Sequence, residues 1–281
     1  MSRPHSEGGF IFTVHFCNIT DILRGIFAAL LCIWVFPTAV GYNSSTLAAG
    51  KYNLVSIPFA GVSGGTQKLT EAMSGTWLGG ETYEEGDNIR VWNPAGQSYT
   101  IYYYYTDDTH QWDGWYDMGG SYYFDDCVEN AGGLEAGFNF WYQSKGSVSP
   151  TVTTSGAIAP EDDVSITVYG GAFSLISNPF PVAFKPNDSK AVDWGNIHAG
   201  ETYEDGDNIR IWSASGQSYS IYYYYADDSH QWDGWYDMGG SYYFEDVPGN
   251  ENGIAAGDVF WYQSKDAKGT NHTIKFYNPT K

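Results

Sequence analysis

Cysteine is nearly absent from this 281-residue chain: there are three, and Cys17 and Cys32 lie in or before its one long apolar block. Cys127 stands alone downstream, and the matching position in the second half of the chain is Val247. No disulfide can form within the downstream chain, so Cys127 reads as a small buried hydrophobe, with an intermolecular bridge as the alternative. Basic residues are also scarce, 13 Lys and Arg against 33 Asp and Glu, for a net charge of −20. That balance excludes nucleic acid and an anionic membrane surface as partners, because both would repel it. It leaves room for divalent cations. Catalytic signatures are missing too: there is no nucleophile elbow, HExxH, phosphate-binding glycine loop or Cys/His metal box. No catalytic residue and no enzymatic activity are expected.

Long hydrophobic runs are limited to residues 25–40, GIFAALLCIWVFPTAV, directly after Arg24. About fifteen apolar residues fall short of the roughly 20 that span a bilayer. The block fits the core of a signal peptide, with Ala39-Val40-Gly41 as a small-x-small cleavage site. Residues 1–41 are therefore expected to be a signal peptide, and the protein secreted and extracellular. A retained anchor is the alternative, and would be the chain's only membrane contact. Asn43, Asn187 and Asn271 open formal glycosylation sequons.

Aromatic residues, by contrast, are abundant: 18% of the chain, with 24 Tyr and 11 Trp, while charged residues make up 16%. Such side chains suit pleated, half-buried surfaces. Residues 81–145 recur as 201–265 at a constant offset of 120, with 47 of 65 positions identical. Weaker similarity extends on both sides, since LVSIPF (54–59) matches LISNPF (175–180). A unit of this length is a domain repeat, longer than the roughly 20–50 residues of a solenoid repeat. The expected organisation is one unit over 42–157 and a second over 158–281, joined by a short linker near 156–163. Turn residues recur every 8–12 positions without a helical period, which predicts an all-β fold of two tandem β-sandwiches, jelly-roll or Ig-like. Strands are predicted at Ser45–Ala48, Tyr52–Pro58, Asn88–Trp92, Ser98–Thr106, Gly114–Met118, Phe138–Gln143 and Thr151–Thr154, with helix only near Gln67–Met73 and Ser189–Trp194.

Alternation then assigns faces. Taking the aliphatic positions Ile89, Val91 and Ile101 as core-facing leaves a polar-aromatic outer set of Arg90, Trp92, Tyr102, Tyr104, Asn139, Trp141 and Gln143. Its counterparts are Arg210, Trp212, Tyr222, Tyr224, Val259, Trp261 and Gln263. A large exposed aromatic patch signals an interaction surface, here for another protein or for sugar rings. The competing reading is that a second layer, or the other unit, covers it.

The repeat also carries a loose pattern. Gly50-Lys-Tyr-Asn-Leu-Val-Ser-Ile-Pro58 is followed by Ile89-Arg-Val-Trp92 and Gly133-Leu-Glu-Ala-Gly-Phe-Asn-Phe-Trp141. The second unit repeats it with Phe173-Ser-Leu-Ile-Ser-Asn-Pro179, Ile209-Arg-Ile-Trp212 and Gly253-Ile-Ala-Ala-Gly-Asp-Val-Phe-Trp261. This order resembles tandem β-modules of large secreted and cell-surface bacterial proteins, of the type GWNLISIP…W…Y…GkGYW. Tyr52 and Phe173 stand where that pattern usually opens with Trp, and the insert DDTHQWDGWYDMGG has no part in it. The resemblance implies an extracellular β-sandwich used for adhesion or structure, and specifies no ligand.

That insert gathers Asp107, Asp108, His110, Asp113 and Asp117, repeated as Asp227, Asp228, His230, Asp233 and Asp237. Carboxylates crowded in a glycine-containing loop suit a hard cation, so calcium is the one cofactor the sequence suggests, against a plain solvated acidic turn. A second acidic set, Glu81, Glu84, Glu85 and Asp87, reads as surface charge guarding a strand edge. The function expected from all of this is a secreted structural or adhesive protein. It would associate with itself through the aromatic faces, or by strand addition from Tyr42–Ala48 or Thr270–Asn278. The alternative is a glycan-binding module with two Trp/Tyr platforms.

Overall fold

The computed structural model describes residues 40–62, 65–158 and 161–279. Residues 1–39 of the expected signal segment, with Cys17 and Cys32, lie outside the described residues, while its last two, Val40 and Gly41, open the first strand and pair with Ala157 and Gly156. Unit 1 contains β1 (Val40–Thr46), β2 (Tyr52–Ile57), β3 (Met73–Gly75), β4 (Asn88–Asn93), β5 (Ser98–Tyr105), β6 (Gly114–Asp117), β7 (Phe138–Gln143) and β8 (Thr151–Ala157). Unit 2 repeats them as β9 (Asp163–Val168), β10 (Phe173–Ser177), β11 (Val192–Asp193), β12 (Asn208–Ser213), β13 (Ser218–Tyr225), β14 (Gly234–Asp237), β15 (Val259–Gln263) and β16 (His272–Tyr277). Each unit is an antiparallel sandwich of a three-stranded and a five-stranded sheet. The orders are β1-β8-β3 over β2-β7-β4-β5-β6, and β9-β16-β11 over β10-β15-β12-β13-β14. One four-residue α-helix, Leu69–Ala72, falls inside the predicted helical stretch.

Register decides which face of each strand is dry. Ile89 sits opposite Tyr102 on one side and Tyr142 on the other, and Tyr104 sits opposite Trp115. These rings close over Val55, Ile57 and Phe140 and meet Leu47, Leu69, Met73 and Val152 from the opposing layer. Unit 2 builds the same core from Ile176, Ile209, Tyr222, Trp235, Phe260 and Tyr262. Cys127 joins the first core, and burial raises its thiol above the ordinary value.

This packing corrects the assignment of Tyr102, Tyr104, Tyr222 and Tyr224 to the outer face. They point inward, and the aliphatic Ile101 points outward with Arg90. The hydroxyl is what made a buried tyrosine hard to foresee, and it is satisfied locally. Tyr102 donates to Glu129 Oε1 at 2.9 Å and accepts from Asn130 Nδ2 at 2.9 Å; Asn250 serves Tyr222 at 2.7 Å. A buried tyrosine with its hydroxyl paired is as good a core residue as phenylalanine.

Three further expectations change. Ser189–Trp194 is not helical; Val192–Asp193 pairs with β16. Strand β16 is the central strand of its sheet, so Thr270–Asn278 is committed within its own unit, whereas Val40–Thr46 pairs with β8 on one side and is an edge strand on the other. Asp87 is not a surface charge. It and Asp207 are buried, and each carboxylate ties three segments together. Asp207 accepts the Tyr262 hydroxyl at 2.5 Å and the backbone N–H groups of Lys265 at 2.5 Å and His198 at 2.9 Å. Asp87 accepts the Tyr142 hydroxyl and the N–H groups of Lys145 at 2.7 Å and Leu78 at 2.9 Å. Donors of this kind make a buried charge tolerable.

Burial raises the Asp207 carboxyl above its ordinary value of 3.8, while the Tyr262 and backbone hydrogen bonds pull it down. The folded unit therefore holds this proton to higher pH than the unfolded chain does. The group's contribution to stability is full below that ordinary value and falls as pH rises through the folded one. Removing a donor should hurt most when the carboxylate is charged. Tyr262→Phe is expected to cost roughly 1.5–3 kcal/mol at neutral pH, the range for a hydrogen bond to a charged group. The loss should shrink near pH 3.5, and urea unfolding at the two pH values measures both.

Candidate functional sites

The outer faces of the two five-stranded sheets meet each other. Trp92 packs edge-on against Trp261 with centroids 5.0 Å apart and planes at 85°, and Trp212 packs against Trp141 at 5.1 Å and 81°. Replacing each residue by its counterpart 120 positions away in the other unit turns one pair into the other, so the seam has an internal two-fold relation. Edge-to-face geometry places a positive ring edge on a negative ring face. Two of the four indoles also hydrogen-bond across the seam: Trp92 Nε1 donates to the Phe173 carbonyl and Trp212 Nε1 to the Tyr52 carbonyl, both at 3.0 Å.

Backbone-like contacts complete the seam. Gln97 donates its amide to the Phe173 carbonyl at 2.9 Å and accepts the Phe173 N–H at 3.0 Å, as a neighbouring strand would. Gln217 does the same to Tyr52 at 3.0 and 3.4 Å. Both glutamines have a left-handed backbone, φ 48° and 49°, where glycine would be easier. Ser56 Oγ donates to the Gly257 carbonyl at 2.8 Å, and Ser177 Oγ to the Gly137 carbonyl at 2.6 Å. A Cβ on Gly257, itself at φ 75°, would lie 2.9 Å from Asn43 Nδ2 of the other unit.

Behind the indoles, Arg90 stacks 5.1 Å over Tyr52 and bonds Gln143 Oε1 at 2.9 Å. Arg210 repeats this over Phe173 at 5.0 Å with Gln263 at 2.5 Å. Burial lowers the Arg210 guanidinium below its usual value. Asn139 adds a bond to the Leu175 carbonyl at 3.3 Å, which Val259 cannot mirror. Thus Arg90, Trp92, Asn139, Trp141, Gln143, Arg210, Trp212, Val259, Trp261 and Gln263 share the outer faces as the alternation predicted, and those faces are sealed by the other unit. Gln97, Gln217, Ser56 and Ser177 were not foreseen as seam residues. The signal for the glutamines was their persistence beside a turn that changed from Asn93-Pro94-Ala95 to Ser213-Ala214-Ser215.

Truncating Trp92 and Trp212 together removes both cross-seam indole bonds and both edge contacts. The double variant Trp92→Ala with Trp212→Ala is expected to lose on the order of 3 kcal/mol or more. Urea unfolding, expected to be a single transition in the parent chain, should split into two as the units uncouple. A single unshifted transition would contradict the seam.

A second aromatic surface lies at the far edge of each five-stranded sheet, beside β6 and β14. Trp112 and Tyr122 are 54% and 62% exposed, and Trp232 and Tyr242 52% and 58%. The same edge carries a row of tyrosines: Tyr105 meets Tyr116 at 5.5 Å, and Tyr116 meets Tyr123 at 4.3 Å. Tyr225, Tyr236 and Tyr243 repeat the row at 5.7 and 4.3 Å. Burial first, and the facing tyrosine second, raise the Tyr116 and Tyr236 hydroxyls above the usual range.

The acidic residues of this loop act on its own backbone. Asp107 Oδ1 accepts the Thr109 N–H at 2.9 Å, its hydroxyl at 2.6 Å and the His110 N–H at 3.0 Å. Asp117 accepts the N–H groups of Gly119 at 3.1 Å, Ser121 at 2.7 Å and Tyr122 at 2.6 Å. Asp227 and Asp237 repeat both arrangements. Hydrogen bonds led by Thr109 and Ser229 hold the Asp107 and Asp227 carboxyls below their ordinary value. Asp113 and Asp233 lie 3.0 and 2.8 Å from His110 and His230, which have left-handed φ of 51° and 53°. The Asp233 carboxylate raises the His230 imidazole above its ordinary value.

Among the described residues no three His, Cys, Asp or Glu side chains gather around a cation-sized point. Of the expected calcium set, Asp107, Asp117, Asp227 and Asp237 bond the backbone of their own turns, Asp113 and Asp233 face His110 and His230, and Asp108 and Asp228 complete the loop sequence. The lone pairs of Asp107, Asp117, Asp227 and Asp237 are turned toward N–H donors, which a cation at those oxygens would have to displace. Excess calcium and excess chelator should give the same melting temperature within about 1 °C; a cation bound only by the folded state would raise it.

No family model, curated protein or solved structure matches this chain, and the functional reading rests on the two surfaces described here.

Proposed function

We propose that this is a secreted adhesive protein that works by noncovalent binding, presenting two equivalent contact loops from one fused body. The observation that carries the reading is the duplicate of exposed Trp112 and Tyr122 in Trp232 and Tyr242. Large rings left wet on loops whose backbone is ordered by carboxylate bonds suit contact, because little loop backbone freedom remains to be lost on binding. The apolar segment 25–40 supports secretion, and the doubled sites support avidity rather than turnover.

The ligand class this chemistry suits is a saccharide. A flat ring takes the C–H face of a sugar, and neighbouring Gln111, Asp108 and Asp113 offer hydroxyl partners. This moves the glycan platform from the sealed Trp92 and Trp212 to the exposed Trp112 and Trp232. Retention on a panel of immobilised neutral polysaccharides tests it. Trp112→Ala with Trp232→Ala should lower retention tenfold or more, well beyond either single variant, with unchanged far-ultraviolet circular dichroism. Parent protein that binds neither the panel nor isolated cell envelopes would overturn the proposal.

A further inference from the structure

The seam between the units is built so that each side offers what it receives. Unit 1 contributes Trp92, Trp141, Gln97, Ser56 and the Gly137 carbonyl; unit 2 contributes Trp212, Trp261, Gln217, Ser177 and the Gly257 carbonyl. Residue 92 meets the counterpart of 141, and residue 141 meets the counterpart of 92. That reciprocity defines an isologous interface, the kind that joins identical subunits about a two-fold axis. Nothing in these paired contacts distinguishes unit 1 from unit 2. We propose that the seam is a self-recognition face, through which either unit pairs with the same unit of a second copy of this chain.

The differences between the halves rank the possible pairs. Two seam contacts are one-sided. Lys51 Nζ donates to the Ser215 carbonyl at 2.8 Å, and Asn139 Nδ2 donates to the Leu175 carbonyl at 3.3 Å. Their counterparts, Ala172 and Val259, have no donor to give. The native seam therefore holds one of each bond. A pair of unit 1 faces would hold two of each, with Lys51 reaching the Ala95 carbonyl and Asn139 the Leu54 carbonyl, while a pair of unit 2 faces would hold none. Unit 1 with unit 1 is the tightest pair, and unit 2 with unit 2 the weakest.

The linker decides which pair forms in the intact chain. Five residues separate β8, ending at Ala157, from β9, starting at Asp163. So short a tether gives the partner unit an effective concentration in the millimolar range, and the chain closes on itself. An opened chain exposes two self-recognising faces. Unit 1 of one copy then joins unit 1 of a second, whose unit 2 joins unit 2 of a third, and the result is a linear polymer.

The test keeps folding in the native context. A protease site is placed between Ala157 and Asp163, the full chain is folded and purified, and the linker is then cut. Native mass spectrometry at tens of micromolar reads the masses of the three possible pairs after equilibration. Unit 1 homodimers should appear alongside the original pair, and should exceed unit 2 homodimers on the order of tenfold or more, as the extra hydrogen bonds require. Only original pairs, or only separated monomers, would overturn the proposal. Trp141→Ala with Trp261→Ala should abolish all dimers while each cut unit keeps its circular dichroism. Homodimers that survive in that variant use another surface, and also sink the idea. The loops that carry Trp112 and Trp232 are untouched, so polysaccharide retention and self-pairing can fail separately.

Discussion

The constraint on which the rest depends is that each five-stranded sheet is aromatic on both sides. One side supplies the core of its own sandwich through Tyr102, Trp115 and Tyr142, and the other carries Trp92 and Trp141. A single unit could bury only the first. The two edge-to-face indole pairs, with the indole bonds to the Phe173 and Tyr52 carbonyls, remove the second side from water by setting one unit against the other. Burial of aromatic area drives the contact, and the reciprocal polar bonds fix its register.

The two most buried carboxylates, one in each unit, are held by matched donors. The Asp87 and Asp207 carboxylates each accept a tyrosine hydroxyl and two backbone N–H groups. They join the loop before β4 or β12 to the end of β7 or β15. A hydrophobic residue there would leave those N–H groups without partners in a dry site. The same economy governs the exposed loops, where Asp107 and Asp117 organise turns that hydrophobic packing does not reach.

Much of this fold was legible in the residues. The repeat, the two sandwiches and most strands follow from turn spacing and alternation, and Arg90, Trp92, Trp141 and their counterparts lie on the outer sides of their sheets, at the seam. Strand β3 was not legible, because Met73-Ser-Gly75 has no strand propensity and forms only by pairing with β8. Alternation failed in Ser98–Tyr105, where Ile101 was the only aliphatic guide and pointed outward. Nor could sequence tell that the outer faces cover one another, since that depends on how 42–157 and 163–277 dock. The buried role of Asp87 was hidden for a similar reason. Its donors, Leu78, Tyr142 and Lys145, come from nine to 58 residues away along the chain.

The sheet thereby separates two tasks across its width. Strands β2, β7 and β4 give their outer sides to the seam, and the edge strand β6 holds the loop with Trp112 and Tyr122 in solvent. Duplication adds something different to each task. In the seam it converts an association that would depend on protein concentration into one enforced by a five-residue tether. In the loops it supplies two contacts on one body. On the proposed reading, a seam that holds the units as one piece sets the separation of the two loops in advance, so a ligand touching both would order no domain on binding.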